Sequence, residues 1–195
     1  MPLSPPLLLG SASPRRREIL DVLGVAHMVL PQEVDETRLT GESADAYLIR
    51  IVDKKRDSAL QAFSNGGFSA VLVADTSVIV DGDVLGKPGH DLQLGRDMIA
   101  RLAGRAHEVH TRFCLHAKAG EIAETVVTEV WFRVLSPAQI AAYVATGEGQ
   151  DKAGGYAIQG RASGLISRIS GSYSNVVGLP ASNVQQALEQ LGLFP

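Results

Sequence analysis

The sequence predicts an α/β fold, a mixed β-sheet flanked by helices, on three observations. Short apolar runs such as Leu7-Leu8-Leu9 and Ala70-Val71-Leu72-Val73-Ala74 have the unbroken hydrophobicity of strands buried on both faces. Segments with helical start and stop signals alternate with them, as expected of a sheet covered by helices. Two long stretches rich in Val, Thr and aromatic residues, separated by Lys118-Ala119-Gly120, read as a hairpin, and a hairpin makes the sheet mixed.

The elements follow in order. Leu7 to Leu9 is a short buried strand, and the spacing predicts a helix from about Pro14 to Leu23. Ser13 is a good N-cap, and Pro14 at the first helical position loses nothing by its missing N–H. Val25 to Leu30 reads as a second strand and Pro31 to Glu42 as irregular chain. A helix from about Ser43 to Phe63 is closed by Asn65-Gly66-Gly67. The strand Ala70 to Ala74 ends at Asp75, and Val78-Ile79-Val80 leads into a turn at Asp81-Gly82-Asp83. Leu92 to Leu102 is helical. Val109 to His116 and Ile122 to Val134 form the hairpin, and Ser136-Pro137 opens a helix ending near Thr146-Gly147. Six glycines between Asp151 and Pro180 make the C-terminal third loop-heavy.

With 195 residues the chain can build one substantial core or two small lobes, and it reads as a single domain over 1–195. A balance of 45% hydrophobic and 20% charged residues, with no apolar run long enough to span a bilayer, predicts a globular chain without a membrane partner. The Leu7-Leu8-Leu9 run is too short for a signal-peptide core and Cys114 is the lone cysteine, so a cytoplasmic location is expected. A net charge of −3 offers no general attraction to nucleic acid; any anion must be met by locally gathered Lys and Arg.

Such a gathering occurs at Arg15-Arg16-Arg17. Cations in the first turn of a helix oppose its macrodipole by roughly 0.3–1 kcal/mol unless an anion binds there. Successive helical residues turn by about 100°, so the three cannot share one ligand, and Arg17 is assigned to the surface. Asp75, after five apolar strand residues, needs a cation or several donors, whether from a ligand or from its own backbone. Glu36 alone reads as a solvated acid. Paired with Asp75, it completes a set of two carboxylates that, with phosphate oxygens, suits Mg²⁺. Lys54, Lys55 and Lys87 read by default as solvated lysines.

Several other chemistries are excluded. Leu85-Gly86-Lys87-Pro88 is not a P-loop, because Pro88 stands where Ser or Thr is required. Asp81 to Leu92 fails as a calcium loop for want of a Glu at its twelfth position. His107 and His110, three apart in a strand-like segment, point to opposite faces and read as structural or surface residues. No Gly-x-Ser-x-Gly hydrolase elbow is present.

Taken together, Ser11-Ala12-Ser13-Pro14-Arg15-Arg16, Val34-Asp35-Glu36, Lys55, Ala74-Asp75-Thr76, Leu85-Gly86-Lys87-Pro88 and His107-Glu108-Val109 resemble, in order, the motifs of the Maf family of nucleoside triphosphate pyrophosphatases. The closing Asp151-Lys152-Ala153-Gly154-Gly155-Tyr156-Ala157-Ile158-Gln159-Gly160 and the stretch from Gly171 to Pro180 look like the branch acting on dTTP and UTP. The resemblance implies an elongated fold of the Maf and inosine-triphosphatase-like type, with two lobes around a central cleft, a homodimer, and a reaction dependent on Mg²⁺ or Mn²⁺. By motif match Asp75 is the catalytic proton acceptor and, with Glu36, holds the metal. Ser13, Arg15, Arg16, Lys55, Thr76, Lys87 and Gln159 bind substrate, with Arg15, Thr76 and Gln159 tuning its choice. Gln159 has an amide able to pair with the N3–H and carbonyl of uracil or thymine. Alternatives are selection of other or modified purine nucleotides, and a non-catalytic nucleotide sensor in septum or division control. The chain departs from the pattern at Gly10, where alanine is common, Ser77, where valine is frequent, Arg56, where a small residue usually follows the lysine, and in an irregular tail after Pro180.

Overall fold

The computed structural model describes residues 5–64 and 66–194. In chain order the elements are β1 (Leu7–Leu9), α1 (Pro14–Val22), β2 (His27–Val29), α2 (Ala44–Ser64), β3 (Ala70–Val80), β4 (Asp83–Leu85), α3 (Leu92–Leu102), β5 (Ala106–Ala117), β6 (Gly120–Phe132), α4 (Pro137–Val144), β7 (Ile166–Ser170), α5 (Tyr173–Val177) and α6 (Ala181–Gln190), with short 3₁₀ turns at Ala153–Gly155 and Arg161–Gly164. One seven-stranded sheet runs β2-β1-β3-β5-β6-β7, with β4 paired to β3 off this path. It is mixed, as expected: β1 is parallel to both β2 and β3, whereas β3/β4 and β6/β7 are antiparallel. No helix among the described residues is long and apolar enough to cross a membrane.

The chain divides into two compact units, one formed by residues up to Asp75, Thr111–Val126 and the segment from Gly178, the other by Thr76–His110 and Val127–Val177. In the first unit the period-2 alternation of strand side chains sorts the apolar runs into two layers. Leu7, Leu9, Leu72 and Ala74 face one way and pack with Leu20 of α1 and Val184, Ala187 and Leu188 of α6. Leu8, Val71 and Val73 face the other way and pack with Val52 and Ala59 of α2. In the second unit Met98, Ile99 and Leu102 of α3 and Ile140 and Tyr143 of α4 supply buried side chains, with Val130, Phe132, Tyr156 and Leu165.

Three expectations are corrected. Ser13 stands at the N-cap position of α1, but its side chain makes no capping bond; its own N–H instead donates to Ser11 Oγ at 3.2 Å. Asp75 does not end its strand: β3 continues unbroken to Val80, because Ser77, Val78, Ile79 and Val80 are buried like the residues before them. The C-terminal third is less loop-heavy than expected. Ala181–Gln190 forms α6, whose Val184, Ala187 and Leu188 recur at helical spacing and cover the sheet.

The turns predicted at Asp81-Gly82-Asp83 and Lys118-Ala119-Gly120 stand, while Asn65 of the predicted Asn65-Gly66-Gly67 helix end lies outside the described residues. Asp81 and Gly82, with φ of 54° and 78°, close the β3–β4 hairpin as a two-residue turn with both central residues at positive φ. Ser136 and Gln139 form a reciprocal capping box at the start of α4. The departure at Gly10 is explained by close approach, since a Cβ there would lie 2.7 Å from Val73 Cγ1. Arg56 pairs with Asp53, Asp57 and Glu121.

Candidate active site

The first unit brings Arg16, Glu36, Lys55 and Asp75 together. Asp75 and Thr76 are the two residues of β3 that are not fully buried, a notch in an otherwise covered strand. Lys55 reaches it from α2. Its Nζ donates to Asp75 Oδ1 at 2.9 Å and lies 2.6 Å from Glu36 Oε1, so one buried ammonium joins two carboxylates from different parts of the chain. The Lys55 side chain is 9% exposed, that of Asp75 14% and that of Glu36 42%, which opens the cluster to solvent on the Glu36 side. Of the three lysines read as solvated, Lys54 and Lys87 are exposed and Lys55 is not.

The loop that carries Glu36 is anchored along α2. Arg50 grips Glu42 through two bonds of 2.6 and 2.7 Å and donates to Thr37 O at 3.0 Å. Ser58 Oγ bonds Gln32 Oε1 at 2.7 Å, and Thr37 N–H donates to Asp35 Oδ1 at 2.9 Å in a local turn. The Arg50 bond holds the Glu42 carboxyl down at about 2, well below the ordinary carboxylate range. The Thr37 bond holds Asp35 low as well. Tyr47, one turn before Arg50 on α2, is pushed up to about 12 by burial, with the charges of Asp75 and Glu36 adding to the shift.

Arg16 lies under the cluster. Its Nε donates to Gly178 O at 2.8 Å, and its Nη1 donates to Ala74 O at 2.8 Å and Ser11 Oγ at 2.9 Å. Burial pulls the guanidinium below its ordinary value while Asp75 pulls it back up. Arg16 thus ties the start of α1 to β3 beside Asp75 and to the turn before α6. Arg15 is half-buried and Arg17 is exposed, as the helical rotation requires.

Thr76, Lys87 and Gln159 belong to the second unit. Lys87 is exposed on the loop after β4, and that loop is stapled to the glycine-rich segment by Gly154 N–H to Gly86 O and Gly89 N–H to Gln150 O, both at 3.0 Å. Gln159 is exposed in a turn closed by Gly160 N–H to Ala157 O at 3.0 Å. His107 is structural. Its Nε2 lies 2.8 Å from Tyr156 Oη, its ring stands edge-to-face with Tyr156 and Phe132, and burial lowers its pKa to about 4. His110 pairs with Glu108 at 2.9 Å.

The family model described as Maf-like protein matches residues 6–191 of this chain. The chain belongs to the Maf family. It is similar to proteins named dTTP/UTP pyrophosphatase from Anaeromyxobacter sp. strain Fw109-5, at 46% identity over 95% of this chain and 89% of that one, and from Syntrophomonas wolfei, at 42% over 94% and 96%. A Yersinia pestis protein of the same name is 42% identical over 93% of this chain and 91% of its own.

The divalent cation that Maf resemblance implies fits the residues present. Asp75 and Glu36 are hard oxygen donors already converging on one positive charge, the Lys55 ammonium. Among the described residues no group of three or more His, Cys, Asp or Glu side chains could hold a metal. Two carboxylates suffice for Mg²⁺, which keeps several waters and takes its other ligands from phosphates.

Sequence reasoning passed over Ser11, Tyr47 and the Arg50–Glu42 pair as parts of this Maf site. The signal for Lys55 was present without any motif: Leu48, Ile51, Val52, Lys55 and Ala59 lie on one buried face of α2, so a lysine interrupts the apolar stripe. For Arg50 and Glu42, eight residues apart across a helix start, no sequence periodicity gives the pairing.

Proposed function

We propose that this Maf chain hydrolyses dTTP and UTP to the nucleoside monophosphate and pyrophosphate. The observation that carries the reading is the convergence of Glu36, Lys55 and Asp75, supported by the dTTP/UTP pyrophosphatase names of relatives matched over almost the whole chain. Asp75, held by Lys55 in a partly exposed notch, orients a water and takes its proton as the oxygen attacks the α-phosphorus. The bond to the bridging oxygen breaks and pyrophosphate leaves with its electron pair. Lys55, with Arg15, Arg16 and Ser13, supplies donors and positive charge on the same unit, although the Nε and Nη1 groups of Arg16 are largely committed to the chain itself. Thr76, Lys87 and Gln159 are assigned to substrate by the motif match, with the Gln159 amide reading the N3–H and carbonyl of the base. Glu36 and Asp75 would hold Mg²⁺ or Mn²⁺, which when bound neutralises charge on the triphosphate. The reading includes a cytoplasmic homodimer, whose mass light scattering would report.

The test is hydrolysis of UTP, dTTP and CTP in ¹⁸O-labelled water, with Mg²⁺ and with chelator. The expected result is pyrophosphate release from UTP and dTTP, with the label in the monophosphate. Asp75→Asn is expected to abolish turnover in a protein that still unfolds cooperatively, at a lower midpoint because one carboxylate is taken from the Lys55 ammonium. Nucleotide binding without any product would instead identify a sensor.

A further inference from the structure

Gln159 sits in a turn whose two ends are held by one hydrogen-bonded assembly in the second unit. On the near side, Ala157 N–H donates to Tyr143 Oη at 3.2 Å. Tyr143, nearly buried on α4, donates its hydroxyl to Glu148 Oε1 at 3.1 Å. On the far side the same carboxylate accepts from the backbone: Arg161 N–H reaches Oε2 at 2.8 Å and Ala162 N–H reaches Oε1 at 3.2 Å. The chain therefore runs from the Ala157 amide through a tyrosine hydroxyl to a carboxylate and back to the amides of Arg161 and Ala162, with Ile158, Gln159 and Gly160 bracketed between.

Glu148 is itself placed with care. Thr146 Oγ1 donates to Tyr143 O at 2.7 Å and accepts from Glu148 N–H at 3.2 Å, fixing the residue just past the end of α4. A Cβ at Gly149 would lie 1.8 Å from Gly155 O, so the Glu148 loop is pressed against the glycine-rich segment and only glycine fits there. A Cβ at Gly160 would lie 2.2 Å from Glu148 Oε2; the carboxylate occupies the space that a side chain at Gly160 would fill. By contrast Gln159 is exposed, and its amide makes no hydrogen bond to the chain among the described residues. Its position is set entirely by the backbone on either side of it.

We infer that Glu148, acting with Tyr143, is a positioning residue that fixes the Ala157–Gly160 turn and thereby sets which pyrimidine Gln159 accepts. The inference rests on the assignment of Gln159 to the base. An amide discriminates uracil from cytosine only if it is held in one place, because a mobile amide can turn and offer the opposite donor and acceptor pair. A carboxylate is the right group for this post: it accepts at both oxygens, and all three neighbours that face it are donors. Replacing one oxygen by an NH₂ group sets donor against donor.

Two variants test it, Glu148→Gln, which keeps the shape, and Gly160→Ala, which displaces the carboxylate without altering it. For each, kcat and KM are measured with UTP and CTP, and amide hydrogen exchange is followed at Arg161 and Ala162 in the free protein. The expected result is at least tenfold loss of the UTP-over-CTP preference in both variants, arising mainly from KM for UTP, with exchange at those amides accelerated at least tenfold. Faster exchange with an unaltered preference would overturn the inference, as would a lost preference with unchanged exchange. Failure of the functional reading is seen separately, in wild-type protein that releases no pyrophosphate from either nucleotide.

Discussion

Arg16 and Lys55 are both buried cations on helices, and their partners separate their roles. Arg16 spends its Nε and one Nη on backbone carbonyls and a serine hydroxyl, in a planar arrangement that an ammonium cannot reproduce. Arg16→Lys is expected to lower stability by about 2–4 kcal/mol, read as a lower urea midpoint at unchanged m-value. Lys55 faces two carboxylates. Lys55→Met leaves them uncompensated at a cost of roughly 3 kcal/mol, the lower end of the range for a broken buried pair because Glu36 is partly solvated. Since the residual charge is divalent, added Mg²⁺ should raise the melting temperature of Lys55→Met by more than it raises that of the wild type; equal shifts would argue against Glu36 and Asp75 as metal ligands.

Among the elements, α2 and β3 do most to assemble the cluster. The apolar stripe of α2 lays the helix on the sheet, and Lys55 in that stripe is carried inward to Asp75, while Arg50 and Ser58 hold the Glu36 loop alongside. The strands, helix starts and turns were legible because periodicity, Pro at the first helical position and positive-φ turn residues are local signals. The continuation of β3 past Asp75 and the helix α6 were missed for different reasons. A polar pair in mid-strand looks like a strand end until both of its flanks are seen to be buried. In α6 the apolar positions are diluted by Ser, Asn and Gln, and only the sheet they cover shows that they form a face. The tight contact of β1's end with β3 gives a prediction at this scale. Gly10→Ala should destabilise by about 1–3 kcal/mol through overpacking against Val73, and Val73→Ala added to it should recover part of that loss, a coupling that urea unfolding of the four proteins of the cycle would measure.

Across the whole molecule, the acid side of the stability curve should carry two signatures. His107 is neutral and buried in the fold, with a pKa of about 4 against an ordinary 6.5. The unfolded chain therefore takes up a proton that the folded one refuses, and stability falls as pH drops from about 6.5 to 4, by an amount on the order of 3 kcal/mol. The paired change His107→Phe with Tyr156→Phe removes the titration and the hydroxyl that would lose its partner, so the loss of stability over that interval should shrink by that amount. Glu42, held at about 2 against 4.5, adds stability that is present above pH 4.5 and is lost as the pH falls through 2; Glu42→Gln should remove that lower limb. What the sequence by itself determined was most of the elements before the glycine-rich segment, the α/β class and the family, because hydrophobic period, caps and ordered motifs are written in neighbouring residues. Only the tertiary structure decided that Lys55 pairs with both Glu36 and Asp75, that Arg16 is bound to its own backbone, and that Glu148 holds the turn of Gln159, because each depends on groups distant in the chain being brought within hydrogen-bond distance by packing.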